Sequence, residues 1–201
     1  MTRISKMNEV EAIKREITKL ALTLASKEGW NNQILEKASA KAGVDSGMGA
    51  LLFNGDIRNV IEYFINNVYK AAYSEYFTSA ARSSRIQDII VEFFTICLRT
   101  LAPNKLAISK MLSFFMLPWN TAFGIKTLWR CTDNVWYELL NDESLDFNFY
   151  TKRCLLSYAA LNAILFWQND ESVEYIDTIS FLRAELSSIV KTGSFIKKLC
   201  K

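Results

Sequence analysis

The sequence predicts an all-α fold of about nine helices, and two observations support this class. Half of the 201 residues are hydrophobic, whereas only two are proline and seven are glycine. The chain therefore has few of the turn-forming residues that the many turns of a strand-rich fold require. Apolar side chains recur every three or four residues along most of the chain. We therefore expect one continuous helical body without internal repeats.

The first 55 residues are predicted to form three short helices that are separated by glycine turns. The first covers 9–27 and ends at Gly29, and the second begins at Asn31 or Asn32 and ends before Gly43. The third covers 45–53. This arrangement is typical of a helix-turn-helix region, which we assign to residues 1–55.

Longer helices are predicted between residues 56 and 191, with Pro103 and Pro118 separating neighbours. They cover 56–79, 84–101, 104–117, 120–140, 148–168 and 173–191. We expect Asp146 or Asn148 to cap the helix over 148–168, and the segment Lys191–Gly193 to end the last one.

The composition excludes several classes of enzyme and of metal site. The chain has no histidine, which removes catalytic triads and the common zinc and di-iron sites. Its four cysteines, Cys97, Cys131, Cys154 and Cys200, form no CxxC pair and fit buried or incidental thiols in a reducing compartment. No paired acids or activated nucleophile stand out. We expect no catalytic residue, no metal and no enzymatic activity.

No membrane-spanning or targeting segment is predicted. Residues 1–14 have no apolar run and include Glu9 and Glu11, unlike a secretory signal or a transit peptide. The longest apolar run, 154–167, is shorter than the roughly 20 residues that a spanning helix needs.

The stretch 17–64 resembles the DNA-binding domain of TetR-type regulators, through "LASKEGW", "AKAGV" and "LLFNG". No basic residue lies between Lys41 and Arg58, and the would-be recognition helix begins with Asp45 and contains Gly47 and Gly49. Duplex binding requires lysine and arginine on phosphates. The missing basic residues argue against DNA binding, so we expect no nucleic-acid partner. A ligand-sensing transcription regulator is kept as the alternative function because of the resemblance.

Five motifs in the second half carry a more specific resemblance. They are "LPWN" at 117–120, "DNVWY" at 133–137, "DFNFYTKR" at 146–153, "LFWQNDES" at 165–172 and "FL" at 181–182. In this order and spacing the chain resembles, from about residue 13 to residue 190, the ubiquinone-biosynthesis accessory family known as coenzyme Q protein nine.

The resemblance implies a TetR-like fold that has lost DNA binding and forms homodimers through the last two long helices. It implies no catalytic activity and no cofactor, but a bound isoprenoid or phospholipid in the bundle formed by residues 56–191. Such a protein presents an isoprenoid quinone precursor to the demethoxyubiquinone hydroxylase at a membrane surface. We expect it on the inner face of a membrane, with a bacterial cytoplasm favoured and a mitochondrial matrix also open.

Asp133, Trp136 and Tyr137 share one face of the predicted helix 120–140. An aromatic pair beside an acid is typical of an interface anchor if it is exposed and of core if it is buried. The resemblance places the hydroxylase contact here. Arg130, one turn earlier, is a candidate partner of Asp133.

A lipid cavity is predicted between the helices over 84–101, 104–117 and 154–167, because these are apolar around most of their circumference. Cavity wall and ordinary core have the same composition, so both interpretations stay open for each residue. The candidates for the wall are Phe93, Phe94, Leu98, Met111, Phe115, Leu161 and Leu165.

The last ten residues, 192–201, are predicted to form a basic amphipathic tail. Phe195, Ile196 and Leu199 are apolar, and Lys197 and Lys198 lie between them with no acid nearby. Anionic lipid attracts such a segment by about 1 kcal/mol per basic residue near the surface. A membrane contact and a solvated, frayed tail are the two interpretations.

Overall fold

A computed structural model of the chain describes residues 3–79, 83–143 and 147–199, with side chains described between residues 8 and 191 apart from Ser46 and Phe147. Every regular element in these ranges is a helix and none is a strand, which confirms the predicted all-α fold. None of the described helices combines the length and apolar character that crossing a membrane requires.

The helices follow the predicted order. They are α1 (Arg3–Glu28), α2 (Asn32–Lys41), α3 (Ser46–Leu52), α4 (Ile57–Thr78), α5 (Ile86–Leu101), α6 (Lys105–Phe115), α7 (Pro118–Asn134), α8 (Phe147–Trp167) and α9 (Ile176–Leu199). Single 3₁₀ turns cover Ala102–Asn104 and Val173–Tyr175, and a π-helical segment, Val135–Leu139, follows α7.

Four predicted helix boundaries were wrong. Helix α1 begins at Arg3, six residues before the predicted start at residue 9. Helix α7 begins at Pro118 instead of 120, because proline suits the first turn of a helix, where no amide donor is needed. Asn148 lies inside α8 and cannot cap it, while Asp146 lies outside the described residues. The predicted break at Lys191–Gly193 is also wrong, since α9 continues to Leu199. One internal glycine costs about 1 kcal/mol, which a long helix can absorb.

The chain groups into two compact units that are not continuous in sequence. The first comprises Met1–Val68 and Leu101–Gly124, and the second comprises Tyr69–Thr100 and Ile125–Lys201. Our division at residues 55 and 191 was drawn on composition and motifs, and it stays a prediction.

In the first unit, α1 packs against α2 and α6. Ile17 and Ile34 are fully buried, and the indole Nε1 of Trp30 donates to the Ala107 carbonyl at 2.9 Å. Asn31 caps α2 by accepting from the amide of Ile34, as its position predicts.

Helix α3 approaches α2 closely at Gly49. A Cβ at this position would lie 2.0 Å from Oγ of Ser39 and 2.6 Å from its Cβ, so only glycine fits. Glycine weakens an isolated helix by about 1 kcal/mol relative to alanine, but here Gly49 permits the contact between the two helices. Asp45 caps α3 by accepting from the Gly47 amide.

The second unit contains two apolar clusters. One is built on Ile90, Val91, Leu156, Ala159, Ala163, Leu182 and Leu186, and the other on Ala72, Tyr76, Phe93 and Ile96. Val135, in the π-helical segment, packs against both clusters. Helices α8 and α9 pack side by side, and the rings of Phe166 and Phe181 stack at 4.8 Å between centroids.

The turn before α9 is organised by the buried carboxylate of Asp170. It accepts from the Ser172 amide at 2.8 Å, from the Thr178 amide at 2.9 Å and from the Thr178 hydroxyl. Burial acts to raise the pKa of Asp170, but these hydrogen bonds outweigh it and hold the pKa at about 2. The carboxylate therefore fixes the start of α9.

Candidate partner-binding site

The end of α7 widens into a π-helical turn in the second unit. The Leu140 amide donates to the Val135 carbonyl at 3.0 Å, which is the five-residue spacing of a π-helix. Ahead of this turn, the Tyr69 hydroxyl donates to the Asn134 carbonyl at 3.0 Å. Burial is the main cause that raises the pKa of Tyr69, so its hydroxyl keeps the proton that it donates.

The π-helical turn separates the environments of two neighbouring aromatic residues. Trp136 is half-buried against the cluster around Leu156 and Leu182, and its Nε1 donates to the Lys152 carbonyl at 3.2 Å. Tyr137, by contrast, is 69% exposed. Of the two aromatic residues predicted to contact the partner, Trp136 therefore anchors the segment and Tyr137 is accessible to solvent.

Arg153 on α8 lies at the centre of the site and is only 1% exposed. Its Nε donates to Asp133 at 2.5 Å, its Nη1 approaches Asp142 at 3.4 Å, and Nη1 also donates to the Phe149 carbonyl at 3.2 Å. The guanidinium carbon lies 3.4 Å from the centroid of the Phe149 ring. A buried cation needs such partners because its desolvation is costly.

Lys152 completes the arrangement. Its Nζ donates to Asp142 at 2.5 Å and lies 5.2 Å from the centroid of the Trp136 ring. We call Asp133, Trp136, Asp142, Phe149, Lys152 and Arg153 the Arg153 cluster. Its two cations and two carboxylates balance, so it holds the end of α7, the following loop and the start of α8 together without net charge.

The cluster is suited to recognition by shape and hydrogen bonding. Its arginine and lysine are engaged by carboxylates, and Tyr137 and Tyr150 expose aromatic surface beside them. Exposed tyrosines on a fixed backbone offer a large contact area and a hydroxyl at low entropic cost. The described residues contain no group of three or more side chains that could hold a metal ion.

Asp133 and Arg153 are linked in a way that the sequence did not reveal. We considered Arg130 as the partner of Asp133, whereas Asp133 bonds to Arg153, twenty residues away. From the motif "DFNFYTKR" the sequence predicts only the start of a helix. Phe149 and Arg153, four residues apart in that motif, were the one local signal for a stacked arginine.

The predicted lipid-pocket residues lie in both units. Met111 and Phe115 belong to the first unit, and the other five belong to the second. Phe93 and Leu98 are buried and Phe94 packs against a core cluster, but Leu161 and Leu165 lie on the exposed side of α8. Whether these residues line a cavity stays a prediction.

The predicted membrane tail is described only by its backbone. Residues 195–199, which include Phe195, Ile196, Lys197, Lys198 and Leu199, are helical, and their side chains lie outside the described ones. The amphipathic face therefore stays a prediction.

The region around the Arg153 cluster also matches a known family. The family model described as COQ9 matches residues 121–193, which include every member of the cluster. "Ubiquinone biosynthesis protein COQ9, mitochondrial" from Rattus norvegicus is 24% identical over 196 residues, covering 94% of this chain and 62% of the rat protein. The chain is similar to COQ9 proteins over most of its length. This confirms the resemblance that the sequence motifs indicate.

Other COQ9 proteins are similar to this chain to a comparable degree. The human protein is 24% identical over 196 residues, and the "Probable ubiquinone biosynthesis protein coq9, mitochondrial" of Dictyostelium discoideum is 32% identical over 87 residues. The chain spans about three-fifths of the rat and human proteins, 62% and 61% of their lengths. These COQ9 proteins are named as mitochondrial, so they lend no support to the bacterial cytoplasm that we favoured.

The predicted TetR-like fold is confirmed by a solved structure. The crystal structure of the TetR transcriptional regulator from Nitrosomonas europaea ATCC 19718 matches with a TM-score of 0.66, covering 88% of this chain and 97% of the regulator. At 19% sequence identity, this likeness concerns the fold alone.

Proposed function

We propose that the protein is a non-catalytic accessory factor of ubiquinone biosynthesis. It binds an isoprenoid quinone precursor and presents it to the demethoxyubiquinone hydroxylase at a membrane surface. The observation that carries this proposal is the COQ9 match over residues 121–193, because that region contains the whole Arg153 cluster and the exposed Tyr137.

The chemistry of the side chains supports a role in binding over one in catalysis. Without histidine, the base that most often activates a serine or cysteine nucleophile is missing. Burial raises the pKa of the Cys97 thiol to about 12 and that of Cys131 to about 11, so both are protonated and poorly nucleophilic near neutral pH.

The hydroxylase contact is proposed at Tyr137, supported from behind by Trp136 and the Arg153 cluster. Tyr137→Lys should weaken capture of the purified hydroxylase by about tenfold or more, because a charge replaces an aromatic anchor. Leu51→Lys is the matched control, since Leu51 is 73% exposed and lies in the other unit. Equal capture by the two variants would contradict this site.

Lipid binding is proposed within the apolar interior of the helical region. Each isoprene unit taken from a membrane into water costs roughly 4 kcal/mol, so a carrier must cover the chain with apolar side chains. Mass spectrometry of organic extracts should find an isoprenoid quinone precursor in the purified protein. If extracts contain no isoprenoid or phospholipid beyond that of an unrelated helical protein prepared in parallel, the carrier proposal fails.

A homodimer is proposed through α8 and α9. Helix α8 exposes Leu155, Tyr158, Leu161 and Leu165 at spacings of three or four residues, so they form one apolar stripe. No Asp, Glu, Lys or Arg lies between Arg153 and Asp170, so the stripe is free of charge. Such a face is suited to an isologous contact with a second copy.

A DNA-binding regulator shares this fold but is not proposed. Helix α3, which would enter the major groove, exposes Met48 and Leu51, and Asp45 caps its start. The stretch between Lys41 and Arg58 offers no basic side chain to phosphate. We expect no shift of random duplex DNA at low salt in a gel assay.

A further inference from the structure

The turn between α6 and α7 exposes large apolar side chains in the first unit. Met116 is 82% exposed and Trp119 is 72% exposed, and Leu117 between them is also exposed. We call residues 116–119 the α6–α7 corner. Single exposed apolar residues are common, but three of them within four positions, one a tryptophan, form a contact patch.

The backbone and the packing behind the corner hold it in place. The Asn120 amide donates to the Leu117 carbonyl at 2.8 Å. The ring of Phe115 packs edge-on against Phe123 at 5.7 Å, and a Cβ on Gly124 would come within 2.9 Å of the Phe115 side chain. The apolar side chains are thus presented by a close-packed turn.

The stretch of sequence that contains the corner has only basic charged residues. In the fold, the paired Arg58 and Asp56 lie near it, with the Arg58 guanidinium 6.0 Å from the centroid of the Phe123 ring. No acidic residue lies between Glu92 and Asp133. Leu106 and Lys110, four residues apart on α6, are both exposed and lie on one side of that helix. Exposed apolar residues that include a tryptophan, in a stretch whose charged residues are all basic, complement the interface of an anionic membrane.

We propose that the α6–α7 corner is a membrane-docking site that inserts Met116, Leu117 and Trp119 into a surface rich in anionic phospholipid. Trp119 lies at the headgroup level, which its indole N–H and apolar ring both favour. Lys110 is attracted by the lipid phosphates. The inference rests on the proposed function and adds to it, since it gives the first unit a membrane contact separate from residues 192–201.

The first test is sedimentation of the full chain with vesicles of phosphatidylcholine and phosphatidylglycerol. The double variant Met116→Ser, Trp119→Ser should bind about tenfold more weakly or worse, because two inserted apolar side chains are lost. Leu51→Ser removes an equally exposed leucine from the same unit and should bind like the parent. Circular dichroism should show unchanged helicity in both variants.

The second test locates the contact directly. Brominated phospholipids should quench the tryptophan fluorescence of the parent. Trp119→Phe should keep vesicle binding within about twofold and lose most of this quenching, because phenylalanine still inserts. Lys110→Gln should reduce binding to anionic vesicles by about fivefold and leave binding to pure phosphatidylcholine unchanged. Unchanged quenching in Trp119→Phe overturns the proposal.

Three other outcomes also overturn it. One is a parent chain that binds no vesicles. Another is a double variant that binds like the parent while deletion of 192–201 abolishes binding, which leaves the proposed function intact. The third is a double variant that binds vesicles like the parent but no longer self-associates in sedimentation velocity. This result would make the corner a contact between two copies of the chain. Conversely, extracts without isoprenoid contradict the proposed function while weakened vesicle binding still supports this site.

Discussion

Arg153 links three stretches of chain that end or begin helices. Its guanidinium reaches Asp133 at the end of α7, Asp142 in the following loop and the ring of Phe149 in the first turn of α8. An arginine suits this position because its planar group can bond two carboxylates and stack on an aromatic face together. Tyr137 is therefore presented by a segment that is fixed at both ends.

Replacing Arg153 by methionine should lower the free energy of unfolding by about 3 kcal/mol, because Asp133 and the largely buried Asp142 lose their shared partner. Arg153→Lys should recover only part of the loss. Arg183→Met is the control, since Arg183 pairs with Asp88 at the surface and should cost under about 1 kcal/mol. Urea denaturation measures both, and equal losses would contradict a structural role for the cluster.

Asp170→Asn should reveal a pH-dependent contribution at the start of α9. The pKa of Asp170 falls from its ordinary 3.8 to about 2 in the folded chain, which corresponds to roughly 2 kcal/mol of stability. Because the folded pKa is the lower one, this contribution is complete well above pH 4 and disappears as the pH falls towards 2. The stability gap between parent and variant, from urea melts, should close in that window. A gap that stays constant from pH 7 to pH 2 would reject this assignment.

At the level of helices, one irregular turn and one close helix contact have identifiable causes. The π-helical turn Val135–Leu139 lets Val135 pack against both apolar clusters while Tyr137 remains exposed. Such turns cost stability and are found frequently at functional sites. The approach of α3 to α2 depends instead on the missing side chain of Gly49.

Gly49→Ala should destabilise the chain although alanine is the better helix former. Alanine gains up to about 1 kcal/mol in helix propensity, but its Cβ would lie 2.0 Å from Oγ of Ser39 and must push the two helices apart. A net loss of about 1 to 3 kcal/mol is expected in urea or thermal melts. Adding Ser39→Gly should restore part of it, and a stabilised single variant would show that the contact is not close.

At the scale of the whole molecule, the stripe on α8 predicts the oligomeric state. Leu161→Lys should convert a dimer to a monomer in sedimentation velocity, because a lysine would be buried opposite its own copy across a two-fold axis. Helicity should not change, since Leu161 is exposed in the single chain. Val173→Lys, also at an exposed apolar residue, should leave the dimer intact. A dimer that persists in Leu161→Lys would place the interface elsewhere.

The helical class, the order of the helices, most of their ends and the family motifs could all be predicted from the sequence alone. These follow from local rules: apolar periodicity, proline at Pro118, caps such as Asn31, and glycine where a helix must end. Local rules failed in α9, which continues past Gly193 because one internal glycine costs a long helix only about 1 kcal/mol.

Which side chains meet depends on the folded chain. The pairing of Arg153 with Asp133 and the partial burial of Trp136 beside the exposed Tyr137 depend on packing between separate helices. So does the need for glycine at position 49. Periodicity assigns a residue to a face of its helix, but it cannot say what that face packs against. That choice is a property of the folded chain, because burial and desolvation act on the assembled helices.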